Sequence, residues 1–270
     1  MLKWVKKAEG LGLALGGGAV KGFFHLGFLR VLDKEKIPIK TICGTSMGAI
    51  VGGLYCLNRN IKRVEEILLG GLEERGFSQL DKPEEKRSYF NFKAYFDMKN
   101  IMVDMRRSLP LQEIKTTKIP FAAIACDINT GERVIINEGP LRDALSASSN
   151  IPGILPPFKM GGKLLVDGIV ADNVPVKEAR DLGADKIIGI VVTPHAFFKD
   201  APKGSLDVIL RSFFLMASAI SKGSAEEADH IITPDLDVIP YADFRYAKLC
   251  ADIGEKIAVK NLEVIKKMIK

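Results

Sequence analysis

Gly44-Thr45-Ser46-Met47-Gly48 decides the reading of this 270-residue chain. An apolar run precedes it (Ile37, Ile39, Ile42), and a run with helical spacing follows it (Ala49, Ile50, Val51, Leu54, Tyr55, Leu57). The pattern predicts strand, sharp turn, helix. A serine at such a turn is held at the top of a sheet with its hydroxyl exposed, and small residues on both sides let the strained turn form. The helix behind it points its N-terminal amides toward a developing oxyanion. G-x-S-x-G alone is a weak signal in a chain with 25 glycines, where it also describes a glycine-rich turn with a capping serine. The strand–turn–helix context makes Ser46 a candidate nucleophile.

Two further stretches bear on chemistry. Leu11 to Leu15 reads as a short buried strand, followed by Gly16-Gly17-Gly18-Ala19-Val20-Lys21-Gly22 and then a helical face of Phe24, Phe28, Val31 and Leu32. A glycine loop that opens a helix presents unpaired backbone N–H groups to a phosphate or an oxyanion. The phosphate motifs do not fit. No G-x-x-x-x-G-K-[ST] is present, and Gly16 does not begin G-x-G-x-x-G because position 21 is Lys. Beside Ser46, an oxyanion loop is the better reading. Downstream, Gly161-Gly162 signals a two-residue hairpin ahead of Leu164-Leu165-Val166-Asp167-Gly168-Ile169-Val170. Asp167 at the end of that strand is a candidate general base; an Asp that merely caps a turn is the alternative.

These elements, in this order, resemble the patatin-like phospholipase family, which pairs a glycine-rich oxyanion loop, a G-x-S-x-G serine and a D-G-G or D-G-A aspartate. They fall here at Gly16 through Gly22, Gly44 through Gly48, and Asp167-Gly168. Gly22-Phe23-Phe24-His25-Leu26-Gly27-Phe28-Leu29 matches the family's G-x-x-H-x-G-x-L. The segment from Ser148 to Pro156 matches its Ser-Ser-x-x-Pro stretch, and Asp172-Asn173-Val174-Pro175 its D-N-x-P. Ala19 replaces the usual last glycine of the loop. Lys21 stands where Arg is common, and either cation suits an anionic headgroup. Ile169 replaces Gly or Ala, a bulk that narrows the site or displaces the carboxylate. The resemblance implies an α/β three-layer sandwich with a mostly parallel central sheet and helices on both faces. It implies a serine acyl hydrolase acting on fatty acyl esters, phospholipid or lysophospholipid, with no metal or organic cofactor.

Serine needs a base to take its proton. The resemblance implies a Ser46–Asp167 dyad, with the amides of Gly17, Gly18 and Ala19 holding the oxyanion. A Ser-His-Asp triad would draw on the chain's three histidines. His25 sits where packing of helix on sheet is the expected role, so His195 or His230 would serve. A third reading is a weakly active lipid-binding or regulatory protein on the same scaffold, motivated by Ala19 and Ile169.

The rest of the chain fits one α/β domain. Strands are expected near 11–15, 39–43, 119–126 and 186–192, each a near-continuous apolar run as a sheet covered on both faces requires. Helices are expected at 176–182, 206–220 and 246–269; the second is a core helix or a membrane-inserting one. No run of apolar residues is long enough to span a bilayer, and Lys3, Lys6 and Lys7 before Leu11 mimic a signal peptide without fitting one. Cys43, Cys56, Cys126 and Cys250 lack metal or disulfide spacing and read as reduced core residues of a cytoplasmic protein. A net charge of +6 suits peripheral contact with an anionic membrane, and no nucleic-acid motif is present. Residues 58 to 118 interrupt the pattern. They are polar, with Tyr89, Phe90, Phe92, Tyr95 and Phe96 among basic residues, and read as a helical cap whose aromatics pack inward or as a lid that touches lipid.

Overall fold

The computed structural model describes residues 10–77, 79–80, 92–193, 201–202 and 204–269. An eight-stranded sheet forms its centre: β1 (Leu11–Leu15), β2 (Ile39–Thr45), β3 (Phe121–Asp127), β4 (Arg133–Ile136), β5 (Phe158–Met160), β6 (Lys163–Asp167), β7 (Lys186–Ile190) and β8 (His230–Ile232). The order is β5-β6-β3-β2-β1-β7-β8, with β4 also paired to β3. β1, β2, β3, β7 and β8 are mutually parallel, while β4 and β6 run antiparallel to β3. The helices are α1 (Phe24–Lys34), α2 (Met47–Asn58), α3 (Ile61–Glu65), α4 (Gly71–Glu74), α5 (Phe92–Ser108), α6 (Leu141–Ser148), α7 (Val176–Asp181), α8 (Ser205–Ala225) and α9 (Ala247–Met268). The mostly parallel sheet with helices on both faces agrees with the sequence expectation.

The period-2 alternation of the strands separates two apolar layers. Leu13, Leu15 and Ile42 face the larger core with α1, α2 and α9. Ala14, Cys43 and Ala122 face the other way, against Val176, Ala179 and Ile187. Small side chains on that second face bring α7 close to the sheet. All four cysteines are buried as free thiols, as their apolar settings suggested. No helix among the described residues is long and apolar enough to cross a membrane.

The strand register brings two distant turns together. β4 occupies one edge of β3. Along the opposite edge β2 pairs as far as Thr45↔Ile124, and β6 enters from the other end and stops at Asp167↔Ala125. The ends of β2 and β6 therefore meet head-on beside β3. Gly168 fits into that junction because a Cβ there would lie 2.2 Å from the Ile124 carbonyl oxygen and 3.0 Å from Thr45 Cγ2.

Candidate active site

Ser46 occupies the turn between β2 and α2 with φ 54° and ψ −123°. A positive φ is strained for a residue with a side chain. The turn is held open by its neighbours: a Cβ on Gly48 would stand 2.1 Å from the Leu15 carbonyl oxygen, so only glycine lets α2 approach β1 this closely. The Ser46 N–H donates to Ser148 Oγ at 3.0 Å, which ties the turn to the last residue of α6.

The Ser46 hydroxyl donates to Asp167 Oδ2 at 2.6 Å, across 121 residues of sequence. The other carboxylate oxygen, Oδ1, accepts from the Ile169 amide at 3.0 Å, and the Asp167 N–H donates to the Asn150 carbonyl at 3.0 Å. Both side chains are buried. Burial pushes the Asp167 carboxyl up to about 7, while the Ser46 hydroxyl and the Ile169 amide pull it down. The carboxylate is thus poised to exchange a proton near neutral pH. Ile169, expected to narrow the site or displace the carboxylate, leaves the Ser46–Asp167 hydrogen bond intact. Its Cδ1 and Ser46 Cβ each lie 2.7 Å from where a Gly17 Cβ would stand, so Ile169 fills the space beside the serine.

The glycine loop runs past this pair. Its Gly16–Gly17 peptide unit is gripped at both ends: His25 Nε2 donates to the Gly16 carbonyl at 2.7 Å, and the Gly17 N–H donates to Asn173 Oδ1 at 2.7 Å. Burial lowers the His25 pKa to about 4, so the ring is neutral and its proton resides on Nε2. Asn173 is fixed in turn by Ser221 Oγ at 2.5 Å and Thr193 Oγ1 at 3.3 Å. Arg133 secures the neighbouring Asp172 at 2.6 Å and reaches Glu178 at 3.1 Å. Of the three amides expected to face an oxyanion, Gly17's is therefore engaged within the protein. Those of Gly18 and Ala19 have no acceptor among the described residues. Ala19 holds φ 49°, the backbone shape that glycine adopts most easily.

Lys21 differs from its expected role. It is 2% exposed, its ammonium lies 4.2 Å from the Tyr241 ring centroid, and burial lowers its pKa to about 8 against the opposing pull of Asp237. A headgroup does not reach it there. His230 bonds Asn261 Oδ1 at 2.9 Å on α9, three strands from β2, and His195 lies outside the described residues. Among the described residues no histidine hydrogen-bonds Ser46 or Asp167. No group of His, Cys, Asp and Glu able to hold a metal occurs among them either.

The profile of one family, described as patatin-like phospholipase, matches residues 13–180. The chain belongs to that family. An uncharacterised NTE family protein of Mycobacterium tuberculosis is 31% identical over 180 residues, covering 66% of this chain and 48% of that protein. A patatin-like phospholipase domain-containing protein of Caenorhabditis elegans is 33% identical over 180 residues, 66% of this chain and 13% of its own length. Lysophospholipase NTE1 of Debaryomyces hansenii is 33% identical over 192 residues, 68% of this chain and 12% of its own. The chain thus spans about half of the mycobacterial relative and a small part of the other two. The crystal structure of VipD from Legionella pneumophila superposes with a TM-score of 0.48 at 13% identity, covering 92% of this chain and 67% of that one.

Asn173, Ser148 and His25 were not singled out as site residues from the sequence, although each lies in a stretch that matches a family motif. A polar residue inside an otherwise small-residue or apolar motif was the available signal, because such a group must find a partner when buried.

Proposed function

We propose that this protein is a serine acyl hydrolase that cleaves fatty acyl esters of phospholipid or lysophospholipid through a Ser46–Asp167 dyad. The observation that carries the reading is the 2.6 Å hydrogen bond from the strained-turn serine to a buried aspartate. As Ser46 Oγ attacks the ester carbonyl carbon, its proton passes to Asp167 Oδ2. The carbonyl oxygen becomes an oxyanion, held by the free amides of Gly18 and Ala19 and by the positive end of α2. Collapse breaks the ester C–O bond, and Asp167 returns the proton to the departing alcohol. Asp167 then takes a proton from water as it attacks the acyl-serine carbonyl, and returns that proton to Ser46 Oγ as the acyl–serine bond breaks and the fatty acid leaves. A base with a pKa near 7 serves both directions of transfer.

The helical residues between α2 and β3 are read as a cap over this site. Of the proposed lid cluster, Tyr89 and Phe90 lie outside the described residues, and Phe96 is 47% exposed. Contact with lipid aggregates is supported by a different element. α8 packs on the Gly168–Val170 turn that follows Asp167 and exposes Val208, Ile209, Leu215 and Met216 by 46–59%. The other exposed positions between 208 and 219 are Ser212 and Ala219, so this outer face is uncharged. Solvent-facing helix surfaces are ordinarily charged or polar.

The test is hydrolysis of a lipid panel by wild type and Ser46→Ala, with fluorophosphonate labelling of Ser46. Labelling and turnover in wild type, both lost in Ser46→Ala, are expected. A folded wild type that neither labels nor hydrolyses would favour a lipid-binding protein without catalysis.

A further inference from the structure

Among the described residues Arg106 has no counter-charge, and it is placed against the segment that holds both members of the dyad. It lies in the last turn of α5. Its Nη2 donates to the Ser146 carbonyl at 2.8 Å and to Asn150 Oδ1, and its guanidinium carbon stands 5.9 Å from the Phe158 ring centroid. Its Nε is buried with no acceptor, and its Nη1 makes no hydrogen bond among the described residues. The nearest acid on its own helix, Asp104, pairs with Arg75 and Arg107 instead. Other partly buried guanidinium groups are compensated. Arg30, Arg133 and Arg211 meet carboxylates, and Arg142 has both its Nε and its Nη2 bonded to carbonyls at the end of α5, whereas Arg106 meets the end of α6 through Nη2 alone.

Residues 146–150 lie under the reacting pair. Ser148 Oγ accepts from the Ser46 amide, and the Asn150 carbonyl accepts from the Asp167 amide. The Asn150 side chain is locked by Pro156 O at 2.6 Å and Leu165 O at 3.3 Å, so its Oδ1 is fixed toward Arg106. A guanidinium desolvated without an acid is costly unless an anion completes it, and its planar fork suits phosphate.

We propose that Arg106 binds the phosphate of a phospholipid or lysophospholipid whose acyl ester lies at Ser46. This rests on the reading of Ser46 as acting on lipid esters, and it adds a phosphate preference supplied by the cap helix. The competing role is mechanical: Arg106 only fastens α5 to residues 146–150.

Binding of two ether-linked ligands separates the roles. A short-chain 1-O-alkyl-glycerophosphocholine and the 1-O-alkylglycerol of the same chain are titrated below their critical micelle concentrations. Neither is hydrolysed, so the result is independent of whether Ser46 is the nucleophile. Wild type is expected to prefer the phosphate-bearing ligand by about tenfold or more, the scale of one charge-assisted contact. Arg106→Gln is expected to lose that preference while binding the alkylglycerol as before. Arg106→Lys keeps the charge without the fork and is expected to lose part of it, which serves if the Gln variant does not fold. Inorganic phosphate is run as a competitor and is expected to displace only weakly. Absence of preference in wild type overturns the proposal, as does an equal loss of both ligands in a folded variant. Displacement by inorganic phosphate at the lipid's own affinity overturns the lipid assignment in favour of free phosphate.

Discussion

Asp167→Asn is expected to silence hydrolysis and to stabilise the fold. The Asp167 carboxyl is 0% exposed, and burial raises its pKa from 3.8 to about 7. That rise of ~3 units corresponds to ~4 kcal/mol by which folding disfavours the ionised form. Between the unfolded pKa of 3.8 and the folded value of about 7, the folded chain keeps a proton that the unfolded chain has lost. Stability therefore falls as pH rises through this window, and the full cost is present above it. The neutral amide of Asn avoids that cost. Its Oδ1 accepts from the Ile169 amide and its Nδ2 faces Ser46 Oγ, so both contacts have a counterpart. The variant should then be about 4 kcal/mol more stable than wild type at about pH 8.5, with little gain at about pH 4. Urea unfolding followed by circular dichroism at both pH values measures this, alongside turnover, which should drop roughly 10³-fold. If the two proteins show parallel pH dependence of stability, or the variant is the weaker at high pH, the buried-carboxylate reasoning is wrong.

Other perturbations test the remaining parts. Asn173→Ala frees the Gly17 amide and should lower kcat by about tenfold or more with little change in KM, as expected for loosened oxyanion donors; an unchanged kcat would remove Asn173 from the site. Ile169→Ala should quicken turnover of bulky acyl esters while lowering stability by about 2–4 kcal/mol, since Ile169 is 2% exposed; unfolding curves and a chain-length series read both effects. Leu215→Glu with Met216→Glu on the outer face of α8 should change stability by no more than about 0.5 kcal/mol per site. The same pair should reduce hydrolysis of vesicles more than that of a soluble ester, and equal losses on both substrates would count against lipid contact by this helix.

Much of the architecture was legible in the residues. The strands at 11–15 and 121–126 are continuous apolar runs, as burial on both faces favours, and those at 39–45 and 186–190 carry apolar centres at Ile42-Cys43 and Ile187-Ile188. The turn at Ser46 was legible because its glycines and flanking runs are contiguous, and the strain of a positive φ there is a property of a few bonded neighbours. Asp167 was legible as a strand-end carboxylate, but its hydrogen bond to a serine 121 residues away was not a local property. That contact exists because β2 and β6 stop at consecutive positions, Ile124 and Ala125, on one edge of β3. The capture of the Gly17 amide by Asn173, the burial of Lys21 over Tyr241 and the reach of Arg106 to Asn150 were likewise decided by tertiary structure. Periodicity and turn chemistry act over a few residues and can be read in order along the chain. Which amide stays free and which cation stays unpaired depends on partners that only the closed sheet and its packed helices bring within hydrogen-bonding distance.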